Sequence, residues 1–347
     1  MKISICIPQY NRINLLLKGL RHIANQTYGN IEIVVSDDCS TDDTESEIKE
    51  FTKTYKYPIV FFRFEENQGY DRNYRKCIEL GTGDYCLVIG NDDTLNENNA
   101  IELLVNFLTK NNLPDIGYCN FIEEKDSGNT VQRAMETKVH GSGIDVAIKH
   151  ANGFSFVGGL IYKKESFDQY NTAKHDGSIY SQMYLGLKMI ADGCILFTIK
   201  EPLVLKDIHF DDGSFRWSAY RDGLPKGWLE YKRFKSGLLS VMNVLISACK
   251  DAKTAKGNYT YTIMKRMYTV TYPYWVIEYK HYGSMAASWA LSFEMNPKRN
   301  NFTKELSILE KIKIFTYYYI FTSMAFLTPY ALFMKFKKGL HKMVRSN

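Results

Sequence analysis

The sequence predicts an α/β protein built on a mostly parallel central sheet flanked by helices, followed by a helical region rich in aromatic residues. Short apolar runs rich in Ile and Val alternate with amphipathic helical patterns over about the first 120 residues, which is typical of such a sheet. After about residue 215 the alternation gives way to long helix-prone segments crowded with Tyr, Phe and Trp. We therefore predict an α/β domain over residues 1–215 and a helical, basic region over residues 216–347.

Five short apolar runs predict buried strands: KISICI at 2–7, IEIVVSDD at 31–38, IVFFRF at 59–64, DYCLVIG at 84–90 and DIGYCNF at 115–121. Helices are predicted between them, where apolar residues recur at helical spacing: residues 11–26, 40–51, 72–81 and 96–111.

The pattern is weaker beyond about residue 125. There we predict a loop and helix over 138–150, a loop and strand over 156–167, a helix over 181–193 and an extended apolar segment over 194–205.

Cysteine usage and the N-terminus both favour a cytoplasmic protein. The seven cysteines are scattered singly without a C-x-x-C pair, which excludes a disulfide framework or a typical zinc site. The N-terminal MKISICIPQYNR lacks the long apolar core of a signal peptide.

The balance of basic and acidic residues differs between the two parts of the chain. Residues 250–347 carry 16 Lys and Arg against 5 Asp and Glu, whereas residues 1–249 carry 28 against 33. The two parts are therefore expected to meet different partners, and a basic aromatic tail suits nucleic acid or an anionic membrane surface.

Polar clusters follow three of the predicted strands: Pro8-Gln9-Tyr10-Asn11, Ser36-Asp37-Asp38 and Asn91-Asp92-Asp93. Any one of them could be an ordinary turn or helix cap. Ligands of parallel α/β sheets bind outside the carboxyl ends of strands, so three clusters at one edge favour a ligand site.

The ligand is suggested by the residue types. The sequence contains no G-x-x-x-x-G-K-[ST] loop and no G-x-G-x-x-G after the first strand. Paired carboxylates without His or Cys neighbours suit Mg²⁺ or Mn²⁺. We therefore predict that Asp92 and Asp93 face a metal-bound diphosphate.

Three motifs occur in order, ISICIPQYNR, IEIVVSDDCSTDDT and ENQGYDRNYRKCIELGTGDYCLVIGNDD. Together they resemble family-2 glycosyltransferases of the GT-A fold, over about residues 1–210. QGYDRNY and GDYCLVIGNDD are most similar to the branch that includes abequosyltransferases of O-antigen synthesis. The resemblance implies transfer of a sugar from a nucleoside-diphosphate donor to a hydroxyl group.

The resemblance also implies roles for individual residues. Asp93 would ligate the metal as the last residue of the Asp-x-Asp signature, while Asn91 departs from a position that is often Asp. The remaining residues would contact the nucleotide: Pro8, Tyr10, Asn11, Asp38, Arg72 and Asp92, with Asn73 shaping the loop.

An inverting reaction needs a carboxylate that takes the acceptor's proton. In the family this base is usually an Asp in an acidic pair opening a helix, but here the pair falls on Ser181-Gln182. Asp176 is the nearest carboxylate and is our predicted base, although an Asp before Gly177 is also typical of a turn.

His209 lies where related enzymes often have a polar or basic residue closing over the diphosphate. We predict that it contacts phosphate or metal; the alternative is an ordinary surface histidine. Asp211 and Asp212 could belong to the same lid or contact the acceptor.

The 21 uncharged residues IFTYYYIFTSMAFLTPYALFM, 314–334, are bracketed by lysines: Lys311, Lys313, Lys335, Lys337 and Lys338. Four tyrosines and Pro329 make the segment a poor membrane span. An interfacial position on an anionic membrane is favoured over a buried helix, a dimer contact or a true span, and no nucleic-acid module is visible.

The predicted function is a cytoplasmic glycosyltransferase, peripherally attached to the inner face of the cell membrane. Its acceptor would be a lipid-linked or surface oligosaccharide, and a homo-oligomer is possible. One alternative is a nucleotidyltransferase, although PQYNRINLL offers only Arg12 for a basic phosphate loop. Another is a non-catalytic sugar-binding protein on the same fold.

Overall fold

The structure, a computed structural model, describes residues 1–124, 130–209, 237–253 and 257–335. These residues form two compact units, one of residues 1–209 and 252–253, and one of residues 237–251 and 257–335. The domain boundary predicted at residues 215–216 lies outside the described residues, as do Asp211, Asp212, Lys337 and Lys338.

The first unit is built on one sheet. Its described strands are β1 Ile3–Gln9, β2 Ile31–Asp37, β3 Ile59–Arg63, β4 Tyr85–Val88, β5 Thr94–Leu95, β6 Ile116–Glu123, β7 Thr130–Val131, β8 Lys138–Gly141, β9 Leu160–Lys163 and β10 Leu196–Lys206. Their order is β3-β2-β1-β4-β9-β6-β10-β5, with β7 paired to β6 and β8 to β10.

The predicted fold class is confirmed, and the pairing shows where the sheet is mixed. Strands β3, β2, β1 and β4 are parallel to one another, and β10 is parallel to β6. Strand β9 runs antiparallel to both β4 and β6. An apolar run does not encode the direction of a buried strand, so the insertion of β9 was not predicted.

Helices flank this sheet: α1 Ile13–Ile23, α2 Thr44–Thr52, α3 Tyr70–Leu80, α4 Ala100–Lys110, α5 Ile144–His150, α6 Lys164–Tyr170 and α7 Ser181–Ala191. Helix α1 shows the predicted pattern, because Leu16, Leu17, Leu20 and Ile23 are all buried against the sheet core. Burial of each such side chain contributes about 1.5–3 kcal/mol.

Two short segments differ from the prediction. Strand β8 occupies part of a predicted loop, and α6 replaces the end of a predicted strand, since residues 164–167 already belong to it. A strand of four residues or fewer carries too little alternation to be recognised from sequence.

The second unit is helical in its described residues, as predicted, with α8 Leu238–Asp251, α9 Thr260–Arg266, α10 Tyr272–Glu278, α11 Met285–Glu294 and α12 Ile308–Leu327. Its core contains tyrosines: Tyr272 and Tyr318 stack with ring centroids 5.9 Å apart, and the Tyr318 hydroxyl donates to the Ser292 carbonyl. Among the described helices, none combines the length and apolarity that crossing a bilayer requires.

Candidate functional site

Three carboxylates meet at one edge of the sheet. Asp92 and Asp93 follow β4, and Asp207 follows β10; one oxygen from each lies within 4.8 Å of the others. Strand β5 brings them together, because Thr94 pairs with Leu205 in the antiparallel β5–β10 ladder. The residues that precede Thr94 and follow Leu205 therefore come to lie side by side.

Asp93 is the buried member of this trio, with 3% of its surface exposed. Its two oxygens accept hydrogen bonds from the backbone N–H groups of Gly90, at 2.9 Å, and Asp207, at 3.1 Å. Burial, and secondarily the neighbouring charge of Asp92, raise the pKa of Asp93 to about 7. The site therefore holds a carboxylate that gains strongly from a nearby positive charge.

Two glycines leave room for these carboxylates. A Cβ atom on Gly90 would lie 2.8 Å from an Asp92 oxygen and 2.9 Å from an Asp93 oxygen. A Cβ on Gly158, in the loop before β9, would lie 2.7 Å from Asp93 Oδ2. All three distances are too short for real contacts of a Cβ atom, so a side chain at either position must displace the carboxylates.

Two cations pair with the outer carboxylates. The Arg12 guanidinium, 6% exposed, contacts Asp92, and the Lys206 ammonium contacts Asp207. Burial acts to lower the pKa of Lys206, but the hydrogen bond and charge of Asp207 outweigh it and raise that pKa. The carboxylates are thus partly neutralised by the chain itself.

A hydrogen-bonded network joins the ends of β1 and β4 to α3. The Asn91 amide donates to Gln9 Oε1 at 2.8 Å, and the Asn73 amide donates to the Gln9 carbonyl at 3.1 Å. An Asp at position 91 could not donate this bond when ionised. Asn91, which replaces an Asp often found at this position of the family, therefore has a structural role: its amide joins the ends of β1 and β4.

Asp38 and Asn11 lie at the same edge and fasten its loops. Asp38 is fully buried and accepts from the N–H groups of Gln68, at 2.6 Å, and Gly69, at 3.0 Å. Asn11 has a left-handed φ of 50°, and its Oδ1 accepts from the Thr41 N–H at 2.7 Å. Pro8 and Tyr10 are partly buried beside them.

Two residues predicted for the site, Arg72 of α3 and Asp176 of the loop before α7, form ion pairs. Arg72 is about one-third exposed and contacts Glu79 at 3.2 Å. Arg75, nearly buried, donates to both oxygens of Asp176, at 2.9 and 2.5 Å. Asp176 thereby fastens the loop that precedes α7 to α3.

Ser181 and Gln182 open helix α7 and are buried. The Ser181 N–H donates to the Asp71 carboxylate at 3.2 Å, and the N–H of Ile179 donates to it at 2.7 Å. Asp71 thus supplies a buried carboxylate at the start of this helix, where α7 itself has none.

His209 follows Asp207 closely and pairs with Glu124: its Nδ1 lies 2.7 Å from Glu124 Oε2, and its N–H donates to the same oxygen at 2.6 Å. Burial opposes ionisation of Glu124, but the two bonds from His209 lower its pKa. The Ile208 N–H donates to the Asp92 carbonyl at 2.8 Å, which ties the segment to the carboxylates.

Sequence reasoning missed Asp207 and Lys206. The rule that found Asp92 and Asp93, a carboxylate directly after an apolar strand, applies equally to LVLKD, where Asp207 ends a long extended run. Nothing in the sequence indicates that this strand lies beside Asp93.

Comparisons with known proteins show which family and fold the chain resembles. The profile of "Glycosyl transferase family 2" matches residues 4–171. Abequosyltransferase RfbV of Salmonella typhimurium is 32% identical over 59% of this chain and 66% of its own length. The GalNAc(5)-diNAcBac-PP-undecaprenol beta-1,3-glucosyltransferase of Campylobacter jejuni is 33% identical over 27% of this chain and 30% of its own.

Among solved structures, S. aureus TarS 1-349 in complex with UDP has the same fold. Its TM-score is 0.59 at 14% identity, over 93% of this chain and 90% of that one. The chain spans slightly less than two thirds of RfbV and under one third of the Campylobacter relative. The resemblance predicted from the motifs is confirmed: residues 4–171 of this chain form a glycosyl transferase family 2 domain.

Proposed function

We propose that the protein transfers a sugar from a nucleoside-diphosphate donor to a hydroxyl group of a lipid-linked or surface oligosaccharide. The observation that carries the proposal is the convergence of Asp92, Asp93 and Asp207 at the sheet edge of a family 2 domain. Similarity to glycosyltransferases favours this function over the nucleotidyltransferase alternative.

The three carboxylates suit Mn²⁺ or Mg²⁺, because they offer hard oxygen donors within 4.8 Å of one another. Asp93 and Asp207 would hold the cation, with Asp92 beside the ribose or the metal-bound diphosphate. When bound, the cation supplies positive charge to the leaving diphosphate. The His209 ring contacts Glu124 in the structure, so it would have to leave that carboxylate before it could contact phosphate or metal.

The nucleotide would lie over the loops that Asn11 and Asp38 fasten, between Pro8, Tyr10 and Arg72. Asp38 would contact the base or ribose. Its backbone hydrogen bonds from Gln68 and Gly69 would hold the carboxylate in one orientation for that contact.

Asp176 stays our proposed base for an inverting reaction. Its carboxylate is 24% exposed, and the two bonds from Arg75 leave lone pairs that can accept the hydroxyl proton. The same ion pair would hold the carboxylate in one orientation, which a positioned base requires.

We propose that the second unit meets an anionic membrane surface, where lipid-linked acceptors would be found. Met285, Trp289 and Phe293 are exposed on one face of α11. The outward face of α12 is also apolar, and Trp289 stacks on Phe326 at 4.3 Å, so the two faces adjoin. We call the exposed apolar side chains of both helices the α11–α12 face: Met285, Trp289, Phe293, Ile308, Leu309, Ile312, Tyr319, Ile320, Met324 and Leu327.

Basic residues border the α11–α12 face, as expected for an anionic lipid partner. The Arg299 guanidinium lies 3.8 Å from the Phe293 ring centroid, and Lys313 is exposed on α12. Helices that lie at a membrane interface typically insert an apolar face into the lipid and place lysine and arginine at the border of that face. The alternative occupant is a second copy of the chain. This arrangement supports a peripheral location at the inner face of the cell membrane.

The function is tested by incubating purified protein with a panel of nucleotide-sugars, with and without Mn²⁺, and measuring release of the nucleoside diphosphate. We expect slow hydrolysis of one donor, increased by the cation and abolished in Asp93→Asn. Binding of a donor without any turnover, even with oligosaccharide acceptors, would instead identify a sugar-binding protein. No binding of any nucleotide or nucleotide-sugar would refute the proposal.

A further inference from the structure

Two cations share one pair of aromatic rings beside the three carboxylates. Phe121 of β6 and Phe156 lie with ring centroids 4.9 Å apart. The Arg133 guanidinium lies 5.2 and 5.8 Å from these centroids, and the Lys206 ammonium lies 5.8 and 5.2 Å from them. We call these four residues the cation–aromatic stack.

Arg133 fixes the stack to the loop that carries Gly158. It donates to four backbone carbonyls: Cys119, Gly153, Phe156 and Gly158. The positive charge of Arg133 is thus stabilised by these four carbonyl oxygens. The rings and the Gly158 loop are held in place, and Gly158 lies against Asp93.

Lys206 is held by the same rings but faces the carboxylates. Its side chain is 17% exposed, it contacts Asp207, and it lies 3.7 Å from Glu123. A cation on the face of an aromatic ring is stabilised by the ring's negative charge density. The stack therefore keeps a positive charge next to Asp207. A divalent cation bound to the same carboxylate would compete with that charge.

We propose that Lys206 makes binding of a divalent cation at Asp93 and Asp207 depend on the nucleoside diphosphate. A cation that arrives alone must separate Asp207 from Lys206 and is repelled by the ammonium group. A diphosphate brings oxygens that can pair with Lys206, and this releases Asp207. Binding of each ligand then favours binding of the other by the same factor, as linkage requires. The inference rests on the proposed function for its second ligand.

The test measures Mn²⁺ binding to the full chain by calorimetry, without nucleotide and then with saturating UDP, GDP or CDP. The variant Lys206→Met removes the charge and keeps an apolar stem against the rings. Lys206→Arg keeps the charge, and Lys200→Met removes an exposed charge from the same strand. Thermal unfolding checks that each variant folds, and Lys206→Gln is a second neutral variant.

We expect Lys206→Met to bind Mn²⁺ alone at least fivefold more tightly than wild type, while Lys206→Arg and Lys200→Met are unchanged. We also expect nucleotide to increase Mn²⁺ affinity at least fivefold more in wild type than in Lys206→Met. A gain below fivefold, or an equal gain in either control, would overturn the inference. If no nucleotide binds to wild type, the proposed function fails, and the Mn²⁺ measurements still decide the role of Lys206.

Discussion

Among the described residues, five buried carboxylates lie in the first unit and one, Glu278, lies in the second. Large exposed apolar side chains show the opposite distribution: five lie in the described part of the first unit and thirteen in that of the smaller second unit. Buried charge marks a place where chemistry or binding is prepared, and a continuous apolar surface marks a contact with another phase or partner. Activity and stability measurements therefore test the first unit, and membrane-binding measurements test the second.

The buried carboxylates themselves divide into two kinds. Glu32 accepts from Lys2, Ser4 and Thr82, and these bonds outweigh its burial and lower its pKa to about 2. Asp93 has fewer compensating bonds, and burial raises its pKa. The first carboxylate stabilises the folded chain when ionised, while the second is kept at a cost in stability, which is typical of a functional position.

The largest expected effect is the loss of activity in Asp93→Asn. The amide keeps the size of the side chain but removes a charge that would face the cation and diphosphate. We expect a decrease of about 10³-fold in kcat/KM, since metal-assisted charge stabilisation contributes several kcal/mol. Asp145→Asn, at an exposed position on α5, is the control and should retain full activity. Near-normal rates in Asp93→Asn would remove the three carboxylates from the mechanism.

The second largest expected effect is a decrease in the free energy of unfolding at low pH, caused by protonation of Glu32. Because Glu32 has a folded pKa below its ordinary value, its contribution is complete above about pH 4.5 and is lost as the pH falls toward 2. The shift corresponds to about 3 kcal/mol in the free energy of unfolding. Urea unfolding at several pH values should show this decline in wild type and a flatter profile in Glu32→Gln. Identical profiles would show that the hydrogen bonds around Glu32 do not stabilise its charge.

Gly158→Ala tests how tightly the Asp93 carboxylate is held. The added Cβ must push away both Asp93 Oδ2 and the Phe156 ring, each 2.7 Å from it. We expect at least about a tenfold loss of turnover, because displacements near 1 Å at a catalytic site can cost about 10²-fold. Gly29→Ala is the matched control, since a Cβ there meets no atom within 4 Å. Equal activity of both variants would show that Asp93 tolerates displacement.

The smallest expected effect concerns the second unit. Replacing both Trp289 and Phe293 with Ser should weaken binding to anionic vesicles about tenfold, because partial burial of the two rings together contributes roughly 1.4 kcal/mol. Sedimentation with vesicles containing phosphatidylglycerol measures the change. Leu103→Ser, an exposed apolar site of the first unit, is the control. Failure of wild type to bind any vesicle, together with dimerisation in solution, would assign the α11–α12 face to a second copy of the chain.

The sequence alone determined the α/β class, most of the longer helices and strands, and the polar ends of three strands. These features are local: a stripe such as Leu16, Leu17 and Leu20 must be buried wherever the helix packs, and a carboxylate such as Asp93 must follow its strand wherever that strand lies. The resemblance to a glycosyltransferase family rested on the same local motifs, and the family profile confirms it.

Tertiary structure decided which of these residues meet. Asp207 is 114 residues from Asp93 in the chain, and the β5–β10 ladder brings its N–H within 3.1 Å of the Asp93 carboxylate. The pairing of Lys206 with Phe121 and Phe156 depends on the same ladder and on the β6–β10 register. Strand order and direction follow from the packing of the whole sheet, and a strand's own residues encode its burial but not its neighbours. The charges that act on the site are therefore a property of the folded sheet: Asp92 and Asp93 were identified from the sequence, whereas Asp207 and Lys206 were not.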